Sequence, residues 1–211
     1  MATEDPSPSG GGSSSIGPAA VARQAFRLLN PFMVALWRLG LGGMLNSWPP
    51  VGGRLMVLVH RGRRSGNRYL TPLNYAIVGG DVYCLAGYGE AADWFRNALA
   101  APSVEVWLPS GWWEAEAVDV SAVPERMALM RSVLIGSGFA AYAAGINPRR
   151  WSDAQLKEKT RGYRLLRLER TMARTGPGGP GDQAWLWPLT TAVVLTGWVR
   201  RWRRTNQGTI T

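Results

Sequence analysis

The centre of the chain constrains the fold most, because two apolar segments are separated there by a short turn rich in glycine and arginine. The first segment, residues 55–60, is a continuous apolar run with the length of a buried strand. The second, residues 69–78, alternates loosely and contains Pro72, which is typical of an edge, a bulge or a barrel bend. Gly62 and Gly66 lie between them and allow the backbone to bend tightly and to approach a ligand closely. The sequence therefore predicts two strands joined by a tight turn.

This turn is strongly cationic. Its arginines, within it or at its borders, are Arg61, Arg63, Arg64 and Arg68. Guanidinium groups bind phosphate and carboxylate through paired hydrogen bonds. The whole chain carries a formal net charge of +10 at pH 7, which favours an acidic partner such as nucleic acid, anionic lipid or a polyanionic cofactor. We therefore predict that the turn binds a phosphorylated, anionic small molecule. The alternative is an exposed hairpin that its arginines keep soluble.

The rest of the chain alternates between short β segments and helices. Further strands are predicted at residues 82–86, 102–108, 112–120 and 162–170. Helices are predicted at residues 19–29, 32–45, 92–101, 124–135 and 152–159, with a break between the first two at Asn30 and Pro31. Five to six antiparallel strands with peripheral helices predict an α+β fold with a mainly β core, closed into a small barrel.

Composition divides the chain into four parts. Residues 1–17 are rich in Pro, Gly and Ser and lack the apolar segment of a secretion signal, so we expect them to be disordered. Residues 18–172 carry the predicted strands and most of the predicted helices. Residues 173–183 form a Gly/Pro-rich linker, and residues 184–211 form a C-terminal helix. A cytoplasmic location is the corresponding expectation.

The C-terminal helix is apolar over residues 184–199 and then strongly basic. Its arginines are Arg200, Arg201, Arg203 and Arg204, and tryptophans stand near both ends. The apolar part is shorter than the about 20 residues of a spanning helix, and we expect Pro188 to interrupt it, so a span is disfavoured. An interfacial helix on the inner face of the cell membrane is slightly favoured over plain packing on the domain or on a partner subunit.

Side chains that often carry chemistry are sparse in this chain. The single cysteine, Cys84, stands in an apolar run and is expected to be buried in the core. The single histidine, His60, ends a predicted strand and is expected to pack or to form a local hydrogen bond. No group of His, Cys, Asp and Glu has metal-ligand spacing, and no Ser-His-Asp grouping is recognisable. No metal site is therefore predicted.

Five short motifs follow one another through the centre of the chain. They are GRRSG at 62–66, TPLNY at 71–75, GYG at 87–89, DWFRN at 93–97 and LAAPSV at 99–104. In this order they resemble the deazaflavin-dependent nitroreductase family, whose members use coenzyme F420 to reduce quinones or nitro compounds. The resemblance covers about residues 55–120 well and extends weakly to the preceding helices and to Arg170. It implies a split β-barrel of the flavin-reductase type.

The resemblance also implies which residues bind the cofactor. Its phosphate and acidic tail would be held by Arg63, Arg64, Ser65, Gly66, Asn67 and Arg68. Its ring system would be lined by Thr71, Pro72, Leu73 and Asn74, and approached by backbone groups of Ala86, Gly87 and Tyr88. Trp94, and more weakly Asn97, would brace the cofactor side of the helix. The expected cofactor is coenzyme F420, with FMN as the alternative.

The implied activity is hydride transfer from the reduced coenzyme to a quinone-like or nitro-type apolar acceptor. Tyr142 is the candidate proton donor or oxyanion partner, and Tyr88 is a weaker candidate. Family members that reduce nitroimidazoles have several tyrosines in the helix where this chain has Tyr142 alone, which disfavours that substrate. An interfacial tail would place the site near membrane-dissolved quinones, so a quinone is the preferred acceptor.

Two other functions stay open at this point. A non-catalytic protein that binds F420 or FMN would use the same arginine turn. An arginine-rich module for a membrane or nucleic-acid surface would explain the charge, but not the glycine placement or the helix that carries Trp94. No nucleic-acid motif is recognisable, so nucleic acid is not an expected partner. The expected partner is a small-molecule electron acceptor, whereas a homodimer is an option that rests on analogy alone.

Overall fold

The fold is a closed barrel of six antiparallel strands surrounded by helices. The computed structural model describes residues 29–206, apart from the side chains of residues 50, 51, 199 and 202–206. The strands are β1 (Leu55–Arg61), β2 (Arg68–Val78), β3 (Asp81–Ala86), β4 (Ser103–Leu108), β5 (Gly111–Asp119) and β6 (Arg164–Arg174). They are hydrogen-bonded in the order β1-β2-β3-β6-β5-β4, and β4 closes the barrel on β1. The predicted fold class, a split barrel with a mainly β core, is confirmed.

Helices flank the barrel, and most of those that the structure describes are short. They are α1 (29–38), α2 (Gly42–Leu45), α3 (Pro49–Gly52), α4 (Asp93–Ala100), α5 (Arg126–Gly136), α6 (Phe139–Ala143), α7 (Asp153–Lys159) and the longer α8 (Leu186–Asn206). A single 3₁₀ turn at Gly89–Ala91 leads into α4. Helix α4 contacts β1 and β5, whereas α5 contacts β2 and β3.

The strand ends agree with the prediction to within two residues, with one exception. Strand β6 continues to Arg174, four residues beyond its predicted end at Arg170. The extension pairs with the start of β5, where Trp112 faces Arg174 and Glu114 faces Met172. Because this extension is stabilised by a partner strand distant in sequence, its own weakly apolar residues do not indicate it.

The first helix differs from its prediction. Residues 29–38 form one helix through Asn30 and Pro31, so the predicted break at that pair is wrong. The helix ends at residue 38 and is followed by Gly40, which has φ 80° and whose N–H donates to the carbonyl of Trp37 at 3.0 Å. A glycine with positive φ typically follows a helix end in this way. The predictions for residues 1–17 and 19–28 lie outside the described residues.

Strand β2 changes partners along its length, which leaves a gap between β2 and β3 at one end of the closed barrel. Its residues 68–74 pair with β1, whereas residues 75–78 pair with β3. Pro72 faces Val57 and lies in the half that has one neighbouring strand. A proline is tolerated there because its missing N–H interrupts no second ladder. The predicted edge or bend at Pro72 therefore corresponds to the split between β2 and β3.

Apolar side chains fill the barrel interior. Fully buried members include Met56, Leu58, Cys84 and Leu166. The predicted burial of Cys84 is confirmed, and burial raises the pKa of its thiol, so the side chain stays protonated. On the outer face of β1, Trp37 of α1 packs with Trp107 and Trp112. The barrel is thus a rigid support for the turn between β1 and β2.

The predicted C-terminal helix is present as α8, but Pro188 does not interrupt it. Pro188 is the third residue of the helix, in the first turn, where a backbone N–H has no partner to lose. Among the helices that the structure describes, none is long and apolar enough to cross a membrane.

Candidate functional site

A cleft of about 1180 Å³ lies beside the half of β2 that β3 leaves unpaired. Its more polar side is lined by Asn30, His60, Gly62, Arg63, Arg64, Ser65, Tyr69, Thr71, Pro72, Asn74, Gly87, Tyr88, Asp93, Trp94, Asn97 and Tyr163. Its apolar side is lined by Leu73, Leu85, Val133, Leu134, Ala140, Ala141, Ala144 and Ile146. Sites for drug-sized ligands are typically about 300–1,000 Å³, so this cleft has room for a large ligand or for two molecules.

The turn between β1 and β2 has a compact backbone that depends on its glycines. The N–H of Gly62 donates to the carbonyl of Asn67, and the N–H of Gly66 donates to the carbonyl of Gly62, both at 2.8 Å. Gly66 has φ 68°, which favours glycine. A Cβ at Gly62 would lie 2.6 Å from Ser65 Oγ and 2.6 Å from Tyr69 Cε2. The glycine spacing read from the sequence is therefore required by the turn itself.

Arg63 joins the turn to α4. Asn97 Oδ1 accepts hydrogen bonds from the Arg63 backbone N–H at 3.2 Å and from Arg63 Nη1 at 2.9 Å. Asp93 Oδ1 accepts from Arg63 Nη1 at 3.2 Å and from Arg96 Nη2 at 2.8 Å. The hydrogen bond from Arg63 is the main reason why the pKa of Asp93 is lowered. The DWFRN motif thus contacts the turn, and Asn97, which is buried, is its central acceptor.

Arg64 occupies a different position. Its side chain is exposed and lines the cleft, and within the described residues it forms no hydrogen bond or ion pair. Ser65 belongs to the turn, since its Oγ accepts from the Asn67 N–H at 3.3 Å and lies 3.3 Å from the Tyr69 hydroxyl. Two neighbouring arginines therefore differ in role: Arg63 holds the turn, whereas Arg64 presents its guanidinium to the cleft.

Three of the predicted phosphate-binding residues do not line the cleft. Gly66 and Asn67 shape the turn backbone, as described above. Arg68 donates to Glu105 Oε2 at 2.9 Å and to the carbonyl of Gly178 at 3.1 Å. Its guanidinium also lies over the ring of Trp107, 5.9 Å from the ring centroid. The structure therefore does not bring Arg68 to the cleft beside Arg64.

The residues predicted to border the ring system of the cofactor also differ in whether they line the cleft. Thr71, Pro72, Leu73, Asn74, Gly87, Tyr88 and Trp94 all line the cleft. Ala86 does not, because its side chain points into the barrel core, where it is fully buried. The structure thus brings most of the residues implied by the resemblance to one surface.

Tyr142, the predicted proton donor, is not brought to the cleft. Helix α6 lines the cleft with Ala140 and Ala141, and Ala144 follows on the same side. Tyr142 is 44% exposed and is absent from that lining. Residues 140, 141 and 144 share one helical face, and residue 142 falls on another. The wall that α6 contributes is therefore smooth and apolar.

Tyr163 is a cleft residue that the sequence did not indicate. It lies just before β6, and a Cβ at Gly87 would be 3.7 Å from its Cζ, so its ring rests against the end of β3. Burial, with a smaller contribution from Tyr88, raises the pKa of Tyr163 and keeps its hydroxyl protonated. No local motif marks this residue, since its position depends on the pairing of β6 with β3.

His60 lies at the base of the cleft as a buried, neutral side chain. Its Nε2 is 3.0 Å from Thr71 Oγ1, and its ring stacks on Tyr69 with the centroids 5.8 Å apart. The predicted local hydrogen bond is confirmed. Burial lowers the pKa of His60 from 6.5 to about 4.

This shift predicts a pH-dependent stability. Between pH 6.5 and about 4 the unfolded chain binds a proton at His60 that the folded chain does not bind, so stability falls as the pH falls. From about pH 7.5 to about pH 5 the expected loss of unfolding free energy is about 2 kcal/mol. Urea unfolding at both values measures it, and His60→Gln should abolish most of the difference. An equal pH dependence in the variant would contradict the assignment.

The sequence profile of the F420H(2)-dependent quinone reductase family matches residues 37–149, which is more than half of the chain. The chain belongs to this family. The match confirms the resemblance read from the motifs, and it includes the arginine turn, α4 and the alanine face of α6. Tyr163, β6 and α8 lie outside the matched residues. A comparison with curated proteins found no match.

Three solved structures of similar chains have low sequence identity to this protein. A conserved hypothetical protein from Mycobacterium tuberculosis is 20% identical over 64% of this chain and 79% of its own, with a TM-score of 0.42. An F420-H2 dependent reductase is 18% identical over 55% of this chain and 94% of its own, with a TM-score of 0.38. The haem storage protein HutZ from Vibrio cholerae is 12% identical over 61% of this chain and 89% of its own, with a TM-score of 0.41.

Proposed function

We propose that this protein is an oxidoreductase that uses reduced coenzyme F420 to reduce a small apolar acceptor of the quinone type. The observation that carries the proposal is the composition of the cleft. A preformed turn with an unpaired arginine borders one part of it, and a wall of alanine and branched aliphatic side chains borders another. Family membership supports the choice of F420, whereas no observation favours FMN.

The residues present fit the coenzyme. A deazaflavin coenzyme has a flat ring system at one end and a phosphodiester with carboxylates at the other. Arg64 and the turn that carries it suit the anionic part, because charge-assisted hydrogen bonds from guanidinium to phosphate are strong. Thr71, Pro72 and Asn74 on β2, with Gly87 and Tyr88 after β3, would border the ring system. Trp94 would close the side next to α4.

Each part of the chain has a distinct task in this proposal. When bound, the reduced coenzyme supplies a hydride, and the protein contributes binding, orientation and exclusion of water. Arg63 and Asn97 hold the turn in a binding-competent shape before the ligand arrives. Ala140, Ala141 and Ala144 leave space for a flat, apolar acceptor and offer it no polar competitor.

We assign proton donation toward the reduced acceptor to the phenol hydroxyl of Tyr163. It lines the cleft beside Tyr88, and its raised pKa keeps the donor proton in place at neutral pH. Tyr163→Phe should lower kcat about 10-fold or more and leave the dissociation constant of F420 nearly unchanged. Steady-state kinetics with equilibrium titration separates the two effects. A variant with unaltered kcat would exclude Tyr163 as the donor.

The proposed activity is tested by mixing the purified protein with reduced F420 and a water-soluble menaquinone analogue. We expect the absorbance of the oxidised deazaflavin to return only when protein and quinone are both present. A nitroaromatic acceptor should react more slowly, and titration with FMN should show weaker binding. Tight F420 binding without turnover of any acceptor would instead identify a non-catalytic F420-binding protein.

A narrower version of the test uses the apolar wall. Ala144→Trp would fill space next to α6 without touching the arginine turn. We expect a KM for the quinone raised about 10-fold, because the acceptor loses room, while F420 binding is retained. An unchanged KM would place the acceptor elsewhere in the cleft.

A further inference from the structure

The first part of α8, up to Trp198, carries apolar side chains around the helix, and residues 187–198 are all exposed. Val193, Val194 and Leu195 are consecutive, so their side chains point in directions about 100° apart around the helix. Their exposed fractions are 73%, 68% and 56%. Leu189 and Trp198, one turn before and one turn after this group, are exposed by more than half as well. A helical segment with apolar side chains all round is normally buried, so this part of α8 lacks a covering surface in the isolated chain.

Two of the three threonines in the apolar part of α8 bond back to the helix backbone. Thr190 Oγ1 donates to the carbonyl of Trp187 at 3.0 Å, and Thr196 Oγ1 donates to the carbonyl of Ala192 at 2.6 Å. Hydroxyls bonded back to the helix backbone need no water. These two hydroxyls therefore do not oppose transfer of α8 to a medium of low polarity.

The charged residues that follow Asp182 are all arginines. After Asp182 the sequence contains no acidic residue, while Arg200, Arg201, Arg203 and Arg204 follow the apolar stretch. Arg200 and Arg201 are exposed. An apolar segment that ends in a cluster of arginines complements a surface that is apolar inside and anionic at its edge.

The base of α8 is anchored to the domain through α1. The N–H of Gly181 donates to the carbonyl of Trp37, and the N–H of Gln183 donates to the carbonyl of Arg38, both at 2.9 Å. Trp187 Nε1 donates to the carbonyl of Leu39 at 2.9 Å. The orientation of α8 at its first turn is therefore set by the end of α1.

We propose that α8 is a docking helix that binds the surface of an anionic lipid bilayer. Its apolar part, residues 186–198, is about 20 Å long at 1.5 Å per residue, which is shorter than the about 30 Å of a hydrocarbon core. The helix enters the headgroup and upper acyl region, and its arginines lie at the lipid phosphates. A second copy of the chain is a poorer occupant, since each copy carries a formal charge of +10.

Docking through α8 would also orient the cleft. Asn30 of α1 lines the cleft and Leu39 contacts Trp187, so about 14 Å of α1 separates the cleft from the base of α8. A cleft so close to the bilayer could receive a lipid-dissolved quinone, a consequence that rests on the proposed function. Lipid binding itself does not depend on F420 or on turnover.

The test is flotation of the full chain, without coenzyme, on vesicles of phosphatidylcholine and on vesicles that also contain about 30% phosphatidylglycerol. We expect binding to the anionic vesicles only. Val193→Glu with Leu195→Glu should reduce the partition coefficient at least about 10-fold, and Arg200→Gln with Arg201→Gln about 20-fold at low salt. Arg149→Gln with Arg150→Gln removes the same charge from an exposed loop and should leave binding unchanged. Circular dichroism confirms that each variant is folded.

Three results would overturn the proposal. One is the absence of binding to anionic vesicles at low salt. Another is equal binding by the wild type and the Val193→Glu, Leu195→Glu variant. The third is a dimer in light scattering that this variant dissociates, without any vesicle binding, which would make a second copy the occupant of α8. Because the assay contains no coenzyme, none of these results depends on whether the proposed reductase activity exists.

Discussion

Replacing Arg64 with alanine is expected to weaken F420 binding about 30-fold without changing the stability of the fold. The guanidinium lines the cleft and has no partner among the described residues, so its removal leaves no other group of the protein unsatisfied. A hydrogen bond to a charged group contributes about 1.5–3 kcal/mol, which corresponds to a loss of about 10- to 150-fold. Fluorescence titration with F420 and urea unfolding measure the two properties separately.

Two further variants make this result specific. Arg64→Lys keeps the charge but loses the forked geometry, so it should recover part of the affinity. Arg61→Ala removes the same charge from the border of the turn, at a side chain that does not line the cleft, and should change binding less than about 3-fold. Equal losses in Arg61→Ala and Arg64→Ala would mean that net charge, and not a built site, attracts the coenzyme.

Replacing Asn97 with leucine is expected to damage both the fold and the site. The amide oxygen accepts two hydrogen bonds from Arg63, one of them from the backbone of the turn, and the residue is buried. Leucine has a similar volume but leaves both donors without an acceptor. We expect the unfolding free energy to fall by about 2–3 kcal/mol and F420 affinity to fall about 10-fold, because the turn is no longer held. Urea unfolding and titration are again the measurements.

A double-mutant cycle locates this effect in the contact between α4 and the turn. If Asn97 acts through Arg63, the variant that combines Asn97→Leu with Arg63→Ala should be little less stable than Asn97→Leu alone. Asp93→Asn provides the contrast, since the carboxylate of Asp93 is 73% exposed and its ion pairs should contribute under about 1 kcal/mol. Strictly additive losses at Asn97 and Arg63 would contradict the proposed role of Asn97 as a positioning residue.

The DWFRN motif shows how a sequence pattern can be recognised correctly and still be understood only in part. The resemblance assigned Trp94 to the cofactor side of α4 and gave Asn97 a weaker role there. The structure places both residues at the cleft, but the close contacts of Asn97 are to Arg63. The spacing of the motif thus reports the docking of a helix on a turn, which is a contact between segments more than thirty residues apart.

The sequence by itself determined the elements that depend on local chain chemistry. The apolar run of β1, the glycines of the cationic turn and the alternation of the later strands specify their conformations through neighbouring residues, because strand pattern and positive φ are local properties. The family motifs lie in the same region, so the cationic turn and the barrel class could both be predicted. Arg63 and Arg64 were placed at the site on this basis.

Only the tertiary structure decided which side chains share the cleft. Arg68 donates to Glu105 of β4 and does not line the cleft, although it is four residues from Arg64. Tyr142 does not line the cleft because it lies on another face of α6, whereas Tyr163 lines the cleft because β6 pairs with β3. These positions depend on strand register, helix rotation and pairing between distant segments. A short window of sequence does not contain that information, since the contacts that decide it form only when the barrel closes.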